Sequence, residues 1–324
     1  MVYLSKLKLR SRLVDRNSPH HCLKHNKSIM LKGGFQFMKT DEFFNRFEDA
    51  FLSWAGKTDD IRAAFIVGSR ARTDHSADKW SDLDIILYAN NHEFYIYNTD
   101  WLETLGSIWA TFVYHTSSGE PERLTVFEGG YQVDIVFHSS NDLRLMAKDR
   151  ITPDSFYRGV RVLVDKDNVS GYIVPSVFKP KSSAISETAF IQTINMFLFA
   201  SVYIAKQIFR GELWTAKTKE NDLRALLLQM MEWHAKAMHG NDHDVWHAGR
   251  FLHEWVDQNT LEELKNTYSL YEKADSFRAL LAAMNLFRRL SVETANKLRL
   301  SYPKEADENI TNWINENADI YLAK

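Results

Sequence analysis

The stretch that most limits what this chain can become runs from residue 61 to residue 88. Ile61-Arg62-Ala63-Ala64-Phe65-Ile66-Val67 is an apolar run that stops at Gly68-Ser69, the pattern of a buried strand ending in a turn. After a gap of twelve residues, Asp82-Leu83-Asp84-Ile85-Ile86-Leu87-Tyr88 reads as a second strand with two acids at its head. Residues two apart on a strand share a face, so Asp82 and Asp84 project together while Leu83, Ile85 and Leu87 anchor the strand on the other side. Two carboxylates on one face repel each other unless a cation lies between them. A hard divalent ion such as Mg2+, which takes oxygen ligands and shares its shell with phosphates, is the natural candidate. Gly68 leaves backbone N–H groups free to turn toward a phosphate, Ser69 adds a hydroxyl, and Arg70 adds a fork suited to phosphate oxygens.

A third acid, Asp134, sits in Gln132-Val133-Asp134-Ile135-Val136, mid-strand among apolar neighbours. A buried aspartate is costly unless it is paired or metal-bound. Two explanations stand at this point: Asp134 joins the Asp82/Asp84 pair on a neighbouring strand, or it pairs with an arginine such as Arg123.

The 324 residues suit two domains of ordinary size, and 45% apolar with 25% charged residues is a globular balance. The single cysteine, Cys22, excludes an internal disulfide framework and permits a reducing compartment, so the expected location is cytoplasmic. Apolar runs fall short of the ~20 residues of a membrane helix, and no membrane partner is expected. The formal charge of −2 is unevenly spread. Residues 1–37 hold eight Lys/Arg and one acid, which leaves −9 on the remainder. Such a body repels nucleic acid and attracts a cationic small molecule, and an RNA-tailing polymerase is disfavoured on the same ground. Residues 1–37 are expected to be a basic leader, disordered or not natively translated, with Met38 as the natural start. The cluster His20, His21, Cys22 and His25 fits no common metal spacing.

Periodicity predicts a first helix from Met38, capped by Thr40 or Asp41, with Phe43, Phe44, Phe47, Phe51 and Trp54 as its apolar stripe. A helix over His92–Leu105, strands over Ile108–His115, Arg123–Glu128 and Tyr131–Phe137, a helix over Asn141–Arg150 and a short apolar run Val160–Val164 follow. Asp165–Ser183, with Pro175 and Pro180, is the linker candidate. Beyond it, helices are predicted at Ser186–Phe209, Leu223–Met238, Val245–Val256, Leu261–Tyr268 and Ala274–Leu298. The expected fold class is α+β: a mixed sheet with helices over 38–178, then an all-α domain over 179–324. Trp101, Phe197 and Phe199 are read as core, His234 as a satisfied polar-face residue, and Lys206 as either a surface charge or a phosphate contact.

The combination of Gly68-Ser69, a twelve-residue gap, Asp82-x-Asp84 and a later acid resembles the nucleotidyltransferase superfamily. More narrowly, the chain from about Met38 to its C-terminus is similar to the aminoglycoside 6-adenylyltransferase (streptomycin adenylyltransferase) family. Asp100-Trp101-Leu102, Val133-Asp134-Ile135, Asn195 through Ser201 with Tyr203 and Lys206, Met230-Met231-Glu232-Trp233-His234 and Gly249-Arg250-Phe251 carry that likeness. The resemblance implies a polymerase-β-like catalytic sheet, a helical substrate-binding domain, ATP as co-substrate and Mg2+ as cofactor. It implies AMP transfer to an aminoglycoside hydroxyl with release of pyrophosphate. Asp82, Asp84 and Asp134 would be the catalytic metal ligands, and Gly68, Ser69, Arg70, Lys206 and Arg250 would contact the nucleotide; many relatives have Lys where Arg250 stands. A lincosamide or unknown acceptor on the same fold, and a non-catalytic nucleotide-binding partner of antitoxin type, are the competing readings.

Overall fold

The computed structural model describes residues 39–179, 182 and 184–321. The expectations for residues 1–37 lie outside the described residues. The chain divides into two compact units that part between Lys181 and Ser182.

The first unit is built on a six-stranded sheet: β1 (Ile61–Val67), β2 (Leu83–Ala89), β3 (Ile108–His115), β4 (Pro121–Phe127), β5 (Tyr131–Ser139) and β6 (Arg161–Asp165), in the order β3-β4-β5-β2-β1-β6. Neighbours are antiparallel except β2 and β5, which run parallel with Asp84 opposite Asp134. Helices α1 (Thr40–Lys57), α2 (His92–Tyr97) and α3 (Asp100–Glu103) cover one face. There Phe44, Phe47 and Phe51 pack on Leu83, Ile85, Leu87, Val133 and Ile135. Each fully buried phenylalanine stabilises the layer by roughly 1.5–3 kcal/mol relative to exposure. On the opposite face, α4 (Ser140–Asp149) and α5 (Ser170–Ile173) contribute Leu143 and Ile173 to a smaller cluster. The strand residues of that cluster come from β1 and β2 alone.

Several boundaries differ from the sequence reading. The span His92–Leu105 is two short helices, because Asn98 leaves helical geometry and its side chain accepts from the Asp100 N–H. Helix α1 begins after Lys39 with no side-chain cap from Thr40 or Asp41. Ser139 rather than Ser140 or Asn141 caps α4, accepting from the Asn141 N–H. Part of the expected linker is α5.

The second unit is all helical: α6 (Glu187–Arg210), α7 (Leu213–His239), α8 (Leu252–Trp255), α9 (Gln258–Lys265), α10 (Lys273–Leu298) and α11 (Lys304–Tyr321). Its core joins Phe190, Ile194 and Phe197 of α6 to Leu227 and Met230 of α7 and Phe287 and Leu290 of α10. The Phe197 and Phe287 rings stack with centroids 3.7 Å apart. Helix α6 is long and apolar enough to cross a membrane by length and composition, with mean hydropathy 1.5; in this fold its buried side packs into the core. The predicted helix Val245–Val256 is not continuous. Ala248, Gly249 and Phe251 all have positive φ, which breaks the helical path and leaves only α8. Helix α11 lies beyond the last predicted helix. It is tied down by a polar anchor, in which Asp307 accepts from Arg288 and from the Tyr302 hydroxyl at 2.5–2.8 Å. Phe199, read as core, is 71% exposed.

Candidate active site

Strand β1 ends at Val67, and the chain turns at once through a single 3-10 turn, Gly68–Arg70. Gly68 holds φ +71, and a Cβ placed on it would lie 2.1 Å from Asp84 Oδ2. Only glycine permits both that conformation and that approach of backbone to carboxylate. Its carbonyl accepts from the N–H groups of Ala71 and Arg72 at 3.2 and 3.3 Å. Ser69 follows, 7% exposed, and its buried hydroxyl has no hydrogen-bond partner among the described residues. An orphaned buried hydroxyl costs about 1–3 kcal/mol, so its persistence beside the carboxylates calls for a ligand or another explanation.

The chain returns to the sheet through a loop that the arginine of the same turn holds in place. Arg70 Nε donates to the Asp82 carbonyl at 3.0 Å and Nη2 to the Ser81 carbonyl at 3.3 Å. Its guanidinium lies 3.6 Å over the Phe44 ring of α1. Two of its donors are thus spent on the segment that carries Asp82. The Asp78 carboxylate accepts from the Trp80 N–H and the Ser81 hydroxyl, both at 2.9 Å, which fixes the same turn and holds its carboxyl below the usual range. Gly159 seals the loop from the other side, since a Cβ there would meet the Arg72 Cα at 2.7 Å.

Asp82 stands immediately before β2, Asp84 is its second residue, and Asp134 lies opposite Asp84 on β5. One carboxylate oxygen from each lies within 4.8 Å of the others, and all three residues are half-buried. Among the described residues no other trio of His, Cys, Asp and Glu brings ligand atoms so close. Burial, then the nearby charges of Asp82 and Glu122, push the Asp134 carboxyl up to about 7. Arg123 does not relieve it. That side chain lies on the other face of β4, buried, with Nη1 donating to Thr111 and Nη2 to the Ile96 carbonyl. The donor set is three hard oxygens, with a Gly-Ser cradle and an unpaired hydroxyl beside them. It fits an oxygen-preferring divalent cation carrying a phosphate.

The remaining sequence candidates are in the second unit. Lys206 is exposed on α6 with Nζ 5.4 Å from the centre of the Trp313 ring. Arg250 is exposed in the strained segment before α8, and its carbonyl accepts from the Trp255 indole at 2.9 Å. His234 is bonded to Glu293 at 2.6 Å, the polar satisfaction expected of it. The same unit holds a cavity of about 990 Å3 lined by Asn195, Phe199, Tyr203, Asp222 and Leu226.

Sequence reasoning missed Glu122 on β4. It is half-buried, its carboxyl is raised by burial, and its side chain makes no hydrogen bond or ion pair among the described residues. Alternation along Pro121–Phe127 puts it on the face opposite Arg123, Thr125 and Phe127. Only the register against β5 reveals that this is the face of Asp134.

The profile of a family described as streptomycin adenylyltransferase matches residues 42–317. The aminoglycoside 6-adenylyltransferase of Bacillus subtilis (strain 168) is 27% identical over 275 residues, covering 82% of this chain and 94% of that protein. The Staphylococcus aureus protein of the same name is 25% identical over 275 residues, with the same coverages. Among solved structures, an aminoglycoside 6-adenyltransferase from Bacillus subtilis aligns at 23% identity and TM-score 0.40, covering 83% of this chain and 96% of that one.

Proposed function

The chain belongs to the streptomycin adenylyltransferase family and is a nucleotidyltransferase, and on that premise we propose that it transfers AMP from ATP to a hydroxyl of an aminoglycoside such as streptomycin, releasing pyrophosphate. The observation that carries this reading is the meeting of Asp82, Asp84 and Asp134 within 4.8 Å beside the Gly68–Ser69 turn.

The acceptor oxygen forms a bond to the α-phosphorus, and the bond from that phosphorus to the bridging oxygen of pyrophosphate breaks. Asp82, Asp84 and Asp134 would hold the divalent cation, Mg2+ in this reading. When bound, it supplies positive charge against the negative charge that gathers on the phosphate oxygens. Gly68 lets the triphosphate approach the backbone, and the Ser69 hydroxyl gains in it the partner that it otherwise lacks. Asp134, whose carboxyl burial pushes up to about 7, is placed to receive the proton of the attacking hydroxyl. Arg70 keeps Asp82 in position through the loop carbonyls. The second unit has a cavity of its own, around Phe199, Tyr203 and Asp222. Cytoplasmic residence, where ATP is available, goes with this reading.

Transfer of label from α-labelled ATP tests it, with the full chain, Mg2+ and a panel of streptomycin, other aminoglycosides and lincomycin. Label on streptomycin, lost by about three orders of magnitude in Asp82→Asn, is expected. Label on lincomycin but on no aminoglycoside would assign the same chemistry to a different acceptor. No pyrophosphate release with any acceptor removes the reading altogether.

A further inference from the structure

The order of strands gives the catalytic sheet a direction. Gly68 and Ser69 follow β1; Asp82 immediately precedes β2 and Asp84 lies in it; Asp134 is on β5; then come β4 and, at the edge, β3. In-line displacement puts the attacking and leaving oxygens on opposite sides of the phosphorus. If the leaving pyrophosphate lies toward the Gly68–Ser69 turn, the attacking hydroxyl comes from the side of Asp134, and the rest of the acceptor extends over β4 and β3.

That surface has a definite composition. Leu124 is opposite Asp134, and Phe112 of β3 is opposite Leu124. Tyr114 of β3 is opposite Glu122, two residues along β4 on the same face. Directly opposed residues share a face, so Asp84, Asp134, Leu124 and Phe112 form one row across the sheet, with Glu122 and Tyr114 beside it. Phe112 is 56% exposed and Tyr114 49% exposed, and neither has a ring partner among the described residues. Glu122 has no counter-charge among the described residues. At a strand spacing of about 4.8 Å, Phe112 stands roughly 10 Å from Asp134, and Glu122 on the diagonal roughly 7–8 Å from it, which is the scale of a sugar ring and its substituents.

We propose that Glu122, Phe112 and Tyr114 form the acceptor subsite. In it the Glu122 carboxylate pairs with a guanidinium or ammonium group of the substrate, and the two aromatic faces cover the ring that bears it. The proposal rests on the aminoglycoside reading above and names the part of this unit that selects the acceptor. A carboxylate with no protein partner is matched by a cation in a charge-assisted, bidentate contact. Exposed aromatic faces add attraction for a cation and for the apolar faces of a sugar. The subsite explains why this stretch of sheet keeps two large aromatic residues and an uncompensated acid on the same side as the catalytic trio. It also gives the acidic body of the chain a local function, since the field of Asp82, Asp84, Asp134 and Glu122 draws a cationic acceptor to the side from which attack must come.

The test uses the full chain and two separate titrations, streptomycin without nucleotide and ATP with Mg2+, on the wild type, Glu122→Gln and the double variant Phe112→Ala/Tyr114→Ala. Glu122→Gln is isosteric, and the aromatic pair is exposed, so both variants keep the fold. The streptomycin dissociation constant rises by about tenfold or more in each, and its salt dependence flattens in Glu122→Gln. The ATP constant stays within about twofold, because the nucleotide lies on the other side of the trio. Streptomycin binding as tight in both variants as in the wild type overturns the subsite, as does an equal loss of ATP affinity. If the wild type adenylylates streptomycin and Glu122→Gln does so with unchanged KM, the subsite alone fails. If the wild type neither binds nor modifies any aminoglycoside, the functional reading fails and takes the subsite with it.

Discussion

Asp84 and Asp134 face each other as direct partners across the parallel pairing of β2 with β5, and neither owes its position to a loop. Both are fixed by strand register, which holds carboxylates more rigidly than a flexible segment could. Charge repulsion between such groups is the cost of having them preorganised for a cation.

Replacing one of these acids should separate activity from stability. Asp84→Asn is expected to lower the rate of pyrophosphate release by about three orders of magnitude, the scale of losing several kcal/mol of charge stabilisation. The melting temperature of the metal-free protein should be unchanged or higher, because a repulsive charge is gone. A lower melting temperature together with retained turnover would show Asp84 to be structural.

In the metal-free protein the contribution of Asp134 to stability should fall as pH rises from about 4 to about 7. Asp134 keeps its proton up to about 7 in the fold but ionises near 3.8 when exposed. Across that window the folded chain binds more protons than the unfolded chain, so the stabilising difference present at low pH is lost as pH rises. Glu232, pushed up to about 7 by burial in the second unit, acts in the same direction. The contribution of Asp134 is therefore the difference between wild type and Asp134→Asn in melting temperature against pH. Parallel profiles for the two proteins would contradict it. Divalent-ion affinity should rise with pH over the same window, because the ion displaces the Asp134 proton.

Gly68→Ala combines two penalties, a positive φ and a Cβ that would meet Asp84 Oδ2 at 2.1 Å. The expected loss of stability is about 1–3 kcal/mol, with divalent-ion affinity falling as Asp84 is pushed aside. Calorimetry with and without the ion measures both. A variant with wild-type ion affinity would mean that the carboxylate moves freely.

Ser69→Ala distinguishes a ligand contact from a packing role. The hydroxyl is buried and unpaired, so its removal should leave the nucleotide-free protein as stable as before, or more stable by up to about 1 kcal/mol. The KM for ATP should rise. Destabilisation with unchanged KM would reverse the assignment.

Arg70 is braced against the carbonyls of Ser81 and Asp82, so its loss should act through Asp82. Arg70→Met keeps the contact with Phe44 but removes both hydrogen bonds. Divalent-ion affinity should fall, with stability lower by about 1–3 kcal/mol. A raised KM for ATP at unchanged ion affinity would instead place the guanidinium on the triphosphate.

The strands and acids of the first unit were readable because their signals are local. An apolar run, a terminating glycine and acids two apart need no knowledge of distant residues. Asp134 stood out because a lone acid in an apolar strand demands a reason. Glu122, with Phe112 and Tyr114, was hidden for the opposite reason. Alternation shows that Glu122 and Arg123 face opposite ways, but only the pairing of β4 with β5 says which of them shares the face of Asp84 and Asp134. In the second unit, helical period locates α6 and α10 but not the side left open, so it cannot tell exposed Phe199 from buried Phe197. The break at 248–251 lies in left-handed φ values at Ala248, Gly249 and Phe251, of which Gly249 alone carries a turn signal and the alanine and phenylalanine carry none. Helix α11 carries a core-facing stripe of Ile310, Ile314 and Ala318 that the reading of the sequence passes over, and what only the structure adds is its polar anchor, Asp307 with Arg288 and Tyr302.

The parallel seam between β2 and β5 also dictates an order of assembly. β3, β4 and β5 are antiparallel neighbours joined by the short connections 116–120 and 128–130, and β1 is joined to its antiparallel neighbour β2 by the longer loop 68–82, so each group can form before the seam. The seam must instead bridge the whole stretch from residue 90 to residue 130, and its loop-closure entropy is met only when the two groups dock. Because Asp84 and Asp134 stand on opposite sides of that seam, the chain has no complete cation seat until docking is finished. Uptake of a divalent ion during refolding is therefore a clock for the closing of the sheet.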